Sequence, residues 1–424
     1  MLPEHRRRFN ECFREQGYSS LLGLLAQRCG VEVAFRVAET PIFVPYTLLE
    51  EMAAAGADIT GKLMGDSAYL AAARDAIPSA YRAPGETAHP HFLTADFSLI
   101  RDAAGALTPR LVEIQAFPSV YGYQAELCRA YRDTFQLDPA LSIFLDGLNE
   151  TDYWKLLTQT VVGRHDPETV VLLEIDPLHQ KTLPDFEVTA RKLGISVVDI
   201  RQVETARNRL HYRGKEGRLV PIHRIYNRAI VDELIARNIR LPFDWKGAWD
   251  VEWAGHPNWY FLISKFSIPW LSRPELRCQV VPPAVFLSDF LEGKGREELA
   301  AAGVTLPRGT AHDTVYGDLL LKPLFSFAGK GILFAPSHAQ LEAIPAGRRA
   351  EFLLQQRMRF EPTIETPHGL TQAEIRLLYL WPDGGRLTPA LSLVRLGRGK
   401  MMGVDHNKEQ RWVGASAAFF PEIC

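Results

Sequence analysis

Apolar residues recur at helical spacing in the first part of the chain, and further on they alternate with polar residues or form short runs. Helical spacing is found in three early segments, Ser19–Arg28, Tyr46–Gly56 and Asp66–Ile77. Residues 1–85 are therefore predicted to form a mainly helical region.

The next region, residues 86–165, begins with a predicted strand–turn–strand unit. Its three parts are Phe92–Ile100, Arg101–Ala106 and Arg110–Ala116. Residues two apart in a strand point to the same face, so Glu113 and Gln115 project together. Asp96 can lie on that face if the two strands pair as a hairpin.

Residues 166–275 show a different pattern, in which β-branched apolar runs alternate with a helix. The predicted elements are a strand at Thr169–Ile175, a helix at Asp185–Leu193, and strands at Ile195–Ile200 and Leu219–Tyr226. Strand, helix, strand indicates a parallel α/β lobe with a crossover connection. Five tryptophans follow within residues 240–271, and they either line a ligand cavity or pack between lobes.

The last region, residues 276–424, is predicted to be an α+β lobe built on an antiparallel sheet. Asp318–Pro336 is interpreted as strand, glycine-containing loop and strand, and a helix is expected at His338–Ile344. Three more strands are predicted at Glu351–Met358, Ala373–Trp381 and Thr388–Leu396.

Composition limits the classes of function. The 424 residues are 46% hydrophobic and 23% charged, with a net charge of −2, which argues against a general nucleic-acid binder. No apolar run approaches the ~20 residues that span a membrane. The five cysteines are scattered and form no C-x-x-C motif. Free thiols in a reducing cytoplasm are the simplest interpretation, and the oligomeric state is not indicated.

The loop near residue 326 has the chemistry of a phosphate site. Lys322 and Lys330 flank the sequence SFAG, in which glycine lets backbone N–H groups approach phosphate oxygens while the ammonium groups neutralise charge. The alternative is a β-hairpin with two surface lysines. The P-loop motif G-x-x-x-x-G-K-[ST] is absent, as are G-x-G-x-x-G, G-x-S-x-G and H-E-x-x-H.

Two further sets of polar residues complete the candidate chemistry. Asp96, Glu113 and Gln115 supply the hard oxygen ligands that Mg²⁺ prefers, although a solvated polar hairpin would show the same pattern. Arginines on predicted strands can bind carboxylate or phosphate, or can form surface ion pairs; they are Arg224, Arg228, Arg376 and Arg395.

Taken in order, these pieces resemble the ATP-grasp superfamily, in the circularly permuted branch that includes glutathionylspermidine synthase. LLLKPLFSFAGKGILF resembles the lysine strand and mobile glycine loop of that family, and EFLLQQRM resembles the strand that borders adenine. AEIRLLYLW is similar to the Glu-Ile-Arg strand that often follows. ADFSLIRDAAGALTPRLVEIQAFPS resembles the magnesium hairpin, which precedes the lysine strand only in the permuted branch. The implied architecture is a permuted ATP-grasp fold, α+β with an α/β lobe, in which an antiparallel nucleotide lobe accompanies a pre-ATP-grasp-like lobe.

The resemblance implies a role for each candidate residue. Phosphate binding and loop closure fall to Lys322, Gly329, Lys330, Gly331 and an upstream lysine, Lys265 or Lys294. Adenine would be flanked by Gln355, Gln356, Arg357 and Met358. The nucleotide or acyl phosphate would face Glu374 and Arg376, with Lys330, Arg376 and Arg395 as catalytic groups and Arg224 and Arg228 toward the substrate. Asp96, Glu113 and Gln115 would bind Mg²⁺.

Two positions depart from the pattern of the family. Gln115 stands where the metal-ligand asparagine is usual, and Thr94 stands where an arginine is frequent. The implied function is an ATP-dependent carboxylate–amine ligase acting through an acyl phosphate on small-molecule or peptide substrates. The alternatives are a nucleotide-binding or kinase-like protein that does not ligate, and a binding protein that uses its tryptophan-rich segment.

Overall fold

The structure is a computed structural model that describes residues 1–102, 104–325, 331–400, 402–403, 407 and 409–421. Its α-helices are α1 (Pro3–Cys12), α2 (Glu15–Cys29), α3 (Tyr46–Gly65), α4 (Ser67–Asp75), α5 (Tyr121–Phe135), α6 (Glu150–Val161), α7 (Leu183–Leu193), α8 (Val231–Ala236), α9 (Trp259–Leu262), α10 (Ser267–Trp270), α11 (Leu287–Leu291), α12 (Lys294–Ala301) and α13 (His338–Glu342).

The strands are β1 (Ile42–Phe43), β2 (Phe92–Arg101), β3 (Leu107–Gln115), β4 (Leu141–Ser142), β5 (Val170–Glu174), β6 (Ser196–Asp199), β7 (Glu204–Ala206), β8 (Arg209–Arg213), β9 (Leu219–Pro221), β10 (Arg224–Asn227), β11 (Glu252–Ala254), β12 (Ala284–Phe286), β13 (Leu319–Pro323), β14 (Leu333–Phe334), β15 (Phe352–Gln356), β16 (Ile364–Thr366), β17 (Gly369–Leu380), β18 (Thr388–Gly397), β19 (Gly414–Ser416) and β20 (Ala418–Pro421).

The central sheet joins an early hairpin to late strands. Its order is β19-β18-β17-β2-β3, all antiparallel, with β16 paired to β17. Alternate residues of these strands, such as Ala95, Phe97 and Ile375, enter a core to which α3 also contributes. The opposite face is therefore free to carry polar side chains.

Strand β13, which carries Lys322, belongs to a second antiparallel sheet, of order β12-β15-β13-β14. The predicted hairpin is present, because Leu320 and Leu321 pair with Phe334 and Leu333. A separate four-stranded sheet, β11-β10-β5-β6, is parallel throughout, and α7 crosses over between β5 and β6. The predicted combination of antiparallel and parallel sheets is thus found.

The N-terminal helices share their cores with the rest of the chain. Apolar residues of α2, such as Leu21 and Leu25, pack in the same cluster as residues of α5 and α7. Strand β1 pairs with β20 at the other end of the sequence. The tryptophan-rich segment contributes buried side chains, among them Trp245 and Trp259, to two of the cores. In the described parts of the chain, no helix has both the length and the apolar character needed to cross a membrane.

Candidate active site

A row of charged side chains crosses one face of the central sheet. Strand pairing sets Arg376 opposite Asp96, Asp96 opposite Glu113, and Glu374 opposite Arg395. Glu374 and Arg376 are two residues apart on β17, so both face the same side. Five of the predicted site residues are therefore brought together by register alone.

Asp96 is the centre of this row and is 1% exposed. Arg376 donates two hydrogen bonds to it, from Nε to Oδ1 at 2.5 Å and from Nη2 to Oδ2 at 2.6 Å. Arg395 Nη1 donates to Oδ2 at 3.0 Å and also donates to Glu374. Burial alone would raise the pKa of Asp96, but the two guanidinium groups outweigh it and hold that pKa below its usual range. Burial raises the pKa of Glu374.

Lys322 reaches this row from the second sheet. Its Nζ donates to Gln355 Oε1 at 2.7 Å and to the carbonyl of Val112 at 3.3 Å. The pairing of β2 with β3 steps from Glu113 to Leu111, which leaves Val112 without a partner on β2. Burial lowers the pKa of Lys322 to about 8, while the nearby charge of Glu113 acts in the opposite direction.

The structure distinguishes between the two candidates for the upstream lysine. Lys265 Nζ lies 3.6 Å from Glu113 Oε2 and is largely buried. Lys294 is exposed on α12, where it lies 3.8 Å from Glu298. Lys265 is therefore the lysine that joins Lys322 and the acidic residues in one cluster.

The residues proposed to border adenine lie at the end of β15. The backbone N–H of Gln356 donates to Pro283 and that of Arg357 to Asp318, and the Arg357 guanidinium lies over the Phe334 ring. Met358 follows them in the chain and is half-buried. The Gln355 side chain instead faces Lys322, and its Nε2 is buried without a hydrogen-bond partner among the described residues.

The glycine loop is only partly described. Gly331 has φ +77°, and a Cβ added there would lie 2.8 Å from Pro323 Cγ, so this position requires glycine. Gly329 and Lys330 lie outside the described residues, and their roles stay predictions.

The two arginines assigned to the substrate lie at opposite ends of β10. Arg228 follows the carboxyl end, where its Nη1 lies 3.2 Å from Asp185 Oδ2 and donates to the carbonyl of Ser119. Arg376 Nη1 lies 3.4 Å from the hydroxyl of that same Ser119, which links Arg228 to the charged row. Arg224 begins the strand and is buried against Glu252 and the carbonyls of α6. The structure does not bring Arg224 to the site.

Sequence reasoning missed several residues of the site. Ser119 follows the predicted hairpin and Pro118, and that position was its only signal. Tyr260 lines a small cavity with Glu113, Gln115 and Lys265. Its hydroxyl donates to Asp232 Oδ2 at 2.6 Å. No pattern in the sequence linked Tyr260 or Asp232 to β3.

The donor set fits a divalent cation only in part. Among the described residues, no group of three or more histidine, cysteine or acidic side chains is arranged to hold a metal. Both oxygens of Asp96 accept guanidinium groups. Glu113 has longer contacts and, with Gln115, lines the small cavity. The available oxygen donors are therefore those of Glu113 and Gln115, which suit a cation shared with phosphate.

Comparison with known proteins bears on the fold. No protein-family model matches the chain, and no curated protein matches it significantly in sequence. Among solved structures, an apo glutathione synthetase-like effector from Globodera pallida aligns over 97% of this chain and 98% of its own, with a TM-score of 0.55 and 10% identity. The chain shares its fold. A putative γ-glutamylcysteine synthetase from Methylobacillus flagellatus KT aligns over 89% of both chains, with a TM-score of 0.38 and 12% identity.

The shared fold and the sheet topology confirm the coarser part of the sequence prediction, a mixed α/β fold with both antiparallel and parallel sheets. At 10% identity the match concerns the fold alone.

Proposed function

We propose that this chain is an ATP-dependent carboxylate–amine ligase of the circularly permuted ATP-grasp type. One observation carries the proposal: Asp96 and Glu113, early in the chain, lie in one cluster with Lys265, Lys322 and Gln355. A cluster of lysines and arginines around two carboxylates has the composition of a site for a nucleotide and its metal.

ATP is assigned to the space between the two antiparallel sheets. Lys322 and Lys265 would neutralise phosphates, and the loop that contains Gly329, Lys330 and Gly331 would close over them. The Nε2 of Gln355, which has no hydrogen-bond partner among the described residues, offers a donor to the ligand. Gln356, Arg357 and Met358 would border the base. Glu113 and Gln115 would hold Mg²⁺, which would supply charge neutralisation at the phosphates when bound.

The reaction follows from the low reactivity of carboxylates. Direct displacement of a carboxylate oxygen would expel oxide, whereas phosphorylation gives an acyl phosphate whose leaving group is phosphate. An amine then attacks the carbonyl carbon and forms the amide. Arg376 and Arg395 would offset charge on the transferred phosphoryl group, and exclusion of water from the closed site would protect the intermediate.

The acid and the amine are assigned to the carboxyl end of the parallel sheet. Ligands of open α/β sheets bind at that edge, and Arg228 stands there, linked to Arg376 through Ser119. Burial raises the pKa of Glu174, at the same edge, to about 8. An anionic small molecule or peptide with an amine partner fits this mixture of charges, and the protein is proposed to work in the cytoplasm without nucleic acid or membrane.

A second candidate function is a nucleotide-binding or kinase-like protein that does not ligate. Its support is that both oxygens of Asp96 are hydrogen-bonded to Arg376 and Arg395, and that Gln115 and Thr94 stand at positions where the family has other residues. Calorimetry with Mg-ATP, compared with an ADP-release assay, separates binding from turnover.

The test uses Lys322→Ala with Lys294→Ala as the matched control, because Lys294 is exposed on α12. Purified wild type should be stabilised by Mg-ATP and should release ADP and phosphate only when an acid and an amine are both supplied. Lys322→Ala should weaken Mg-ATP binding at least about tenfold, a change of about 1.4 kcal/mol. Lys294→Ala should behave as wild type. Unchanged binding and turnover in a folded Lys322→Ala protein would contradict the phosphate role.

A further inference from the structure

Both carboxylate oxygens of Asp96 already accept hydrogen bonds from arginine side chains. Asp96 is 1% exposed, and within the described part of the chain its two oxygens accept three hydrogen bonds, at 2.5, 2.6 and 3.0 Å, all from guanidinium nitrogens. A divalent cation bound to these oxygens would be repelled by the guanidinium groups beside it, because cation and guanidinium carry charge of the same sign.

Among the residues that the structure describes, the two arginines have few other partners. Beyond Asp96, Arg376 has contacts of 3.4 Å with Glu113 Oε1 and with Ser119 Oγ. Arg395 shares its Nη1 between Asp96 and Glu374. Arg376 is 8% exposed, so loss of the carboxylate would leave a largely buried charge without its main partner. The planar, two-bond pairing of Arg376 with Asp96 also fixes the direction of its guanidinium.

Glu113 is more exposed than Asp96 and has longer contacts with its charged neighbours. About a quarter of its side chain is exposed, and its charged contacts are long, 3.4 Å to Arg376 and 3.6 Å to Lys265. It lies two residues from Gln115 on β3, and both line the small cavity beside Lys265. A carboxylate and an amide oxygen on one strand face suffice for a cation whose other ligands are phosphate oxygens and water.

We propose that Asp96 binds no metal but positions Arg376 and Arg395, and that the site takes one divalent cation, on Glu113 and Gln115. The positioning role stands on the contacts alone, whereas the metal count rests on the proposed nucleotide function. Asp96 is thereby reassigned from metal ligand to positioning residue, and two arginines take the place of a second cation.

The positioning role is tested on the free protein, without nucleotide or metal. Asp96→Asn removes the charge that faces the buried Arg376 and the partly buried Arg395, so it should lower the midpoint of thermal unfolding clearly, whereas Glu113→Gln should change it little. An Asp96→Asn protein as stable as wild type, or more stable, would overturn the role. If Asp96→Asn does not fold, Asp96→Glu, which keeps the charge, should restore folding.

The metal count is tested by titrating wild type with Mn²⁺ in the presence of a non-hydrolysable ATP analogue and measuring free Mn²⁺ by electron paramagnetic resonance. One tight ion per chain is expected in wild type and in folded Asp96→Asn or Asp96→Glu. Glu113→Gln should weaken that ion at least tenfold. Two tight ions per chain, or an unweakened ion in Glu113→Gln, would overturn the assignment. Absence of nucleotide-dependent Mn²⁺ binding would overturn both the count and the proposed nucleotide function.

Discussion

Lys322 is buried, and the acidic side chains near it only partly offset the effect of burial on its pKa. Burial lowers its pKa from 10.5 to about 8, although Glu113, Glu374 and Asp96 lie close enough to oppose the shift. The folded state therefore binds this proton less tightly than the unfolded state does, and between about pH 8 and 10.5 folding stability gains as pH rises. Below about pH 8 Lys322 is protonated, and its ammonium group can bind a phosphate.

A pH dependence of nucleotide affinity follows for wild type. Above about pH 8 the ligand-free site must first take up a proton, so Mg-ATP affinity should fall by about tenfold between pH 8 and 9.5. Lys322→Ala lacks this group and should bind weakly with no such slope. Calorimetry from pH 7 to 9.5 compares the two proteins. A wild-type affinity that stays constant to pH 9.5 would show that the lysine charge does not contribute.

Helix α3 packs on the central sheet through a glycine. A Cβ at Gly56 would lie 2.2 Å from the Tyr379 hydroxyl and 3.3 Å from Ala95 Cβ, whereas a Cβ at Gly61, one turn and a half further on, would meet nothing within 4 Å. The first glycine is needed for close approach of helix and sheet, and the second only adds conformational freedom to the unfolded chain.

Alanine at the two positions should therefore have opposite effects. Gly56→Ala should destabilise the protein by about 1–3 kcal/mol, because Tyr379 or the helix must move. Gly61→Ala should stabilise it by about 0.5–1 kcal/mol through helix propensity. Urea unfolding of both variants measures the difference. Equal effects would mean that α3 does not approach the sheet this closely.

Element prediction succeeded where the pattern was local. Strand β18 begins at Thr388 and β2 at Phe92, as the alternation predicts. The predicted strand at Leu219–Tyr226 is instead two strands, β9 and β10, which belong to different sheets. Pro221 ends β9 because proline has no N–H for a ladder, and the apolar pattern alone gave no sign of this division.

At the scale of the whole molecule, a buried arginine ties the parallel sheet to the central sheet. Arg224 Nη2 lies 2.9 Å from Asp383 Oδ2, in the turn between β17 and β18, and Nη1 lies 3.0 Å from Glu252 on β11. A hydrogen bond from His91 and the charge of Arg224 lower the pKa of Asp383. This network lines a cavity of about 640 Å³ at the amino end of β10, away from Arg228.

Replacing Arg224 and Arg228, one at each end of β10, by methionine should affect different properties: stability in the first case and turnover in the second. Arg224→Met removes the hydrogen bonds of a buried guanidinium to Asp383, Glu252 and the carbonyls of α6, and should destabilise the fold by about 1–2 kcal/mol, with Mg-ATP affinity unchanged in the folded protein. Arg228→Met should reduce ligase turnover. Urea unfolding and ADP release measured on both variants provide the test. Reduced nucleotide affinity in folded Arg224→Met would place that arginine at the site after all.

The sequence by itself determined the local elements and the chemical types available, because periodicity, turn residues and motif spacing are properties of neighbouring residues. It thereby predicted the hairpin that carries Asp96 and Glu113 and the strand that carries Lys322. Only the tertiary structure decided which groups meet. The choice of Lys265 over Lys294, the occupation of Asp96 by Arg376 and Arg395, and the separation of Arg224 from Arg228 all depend on strand register and burial between segments far apart in the chain. No local pattern encodes such pairings.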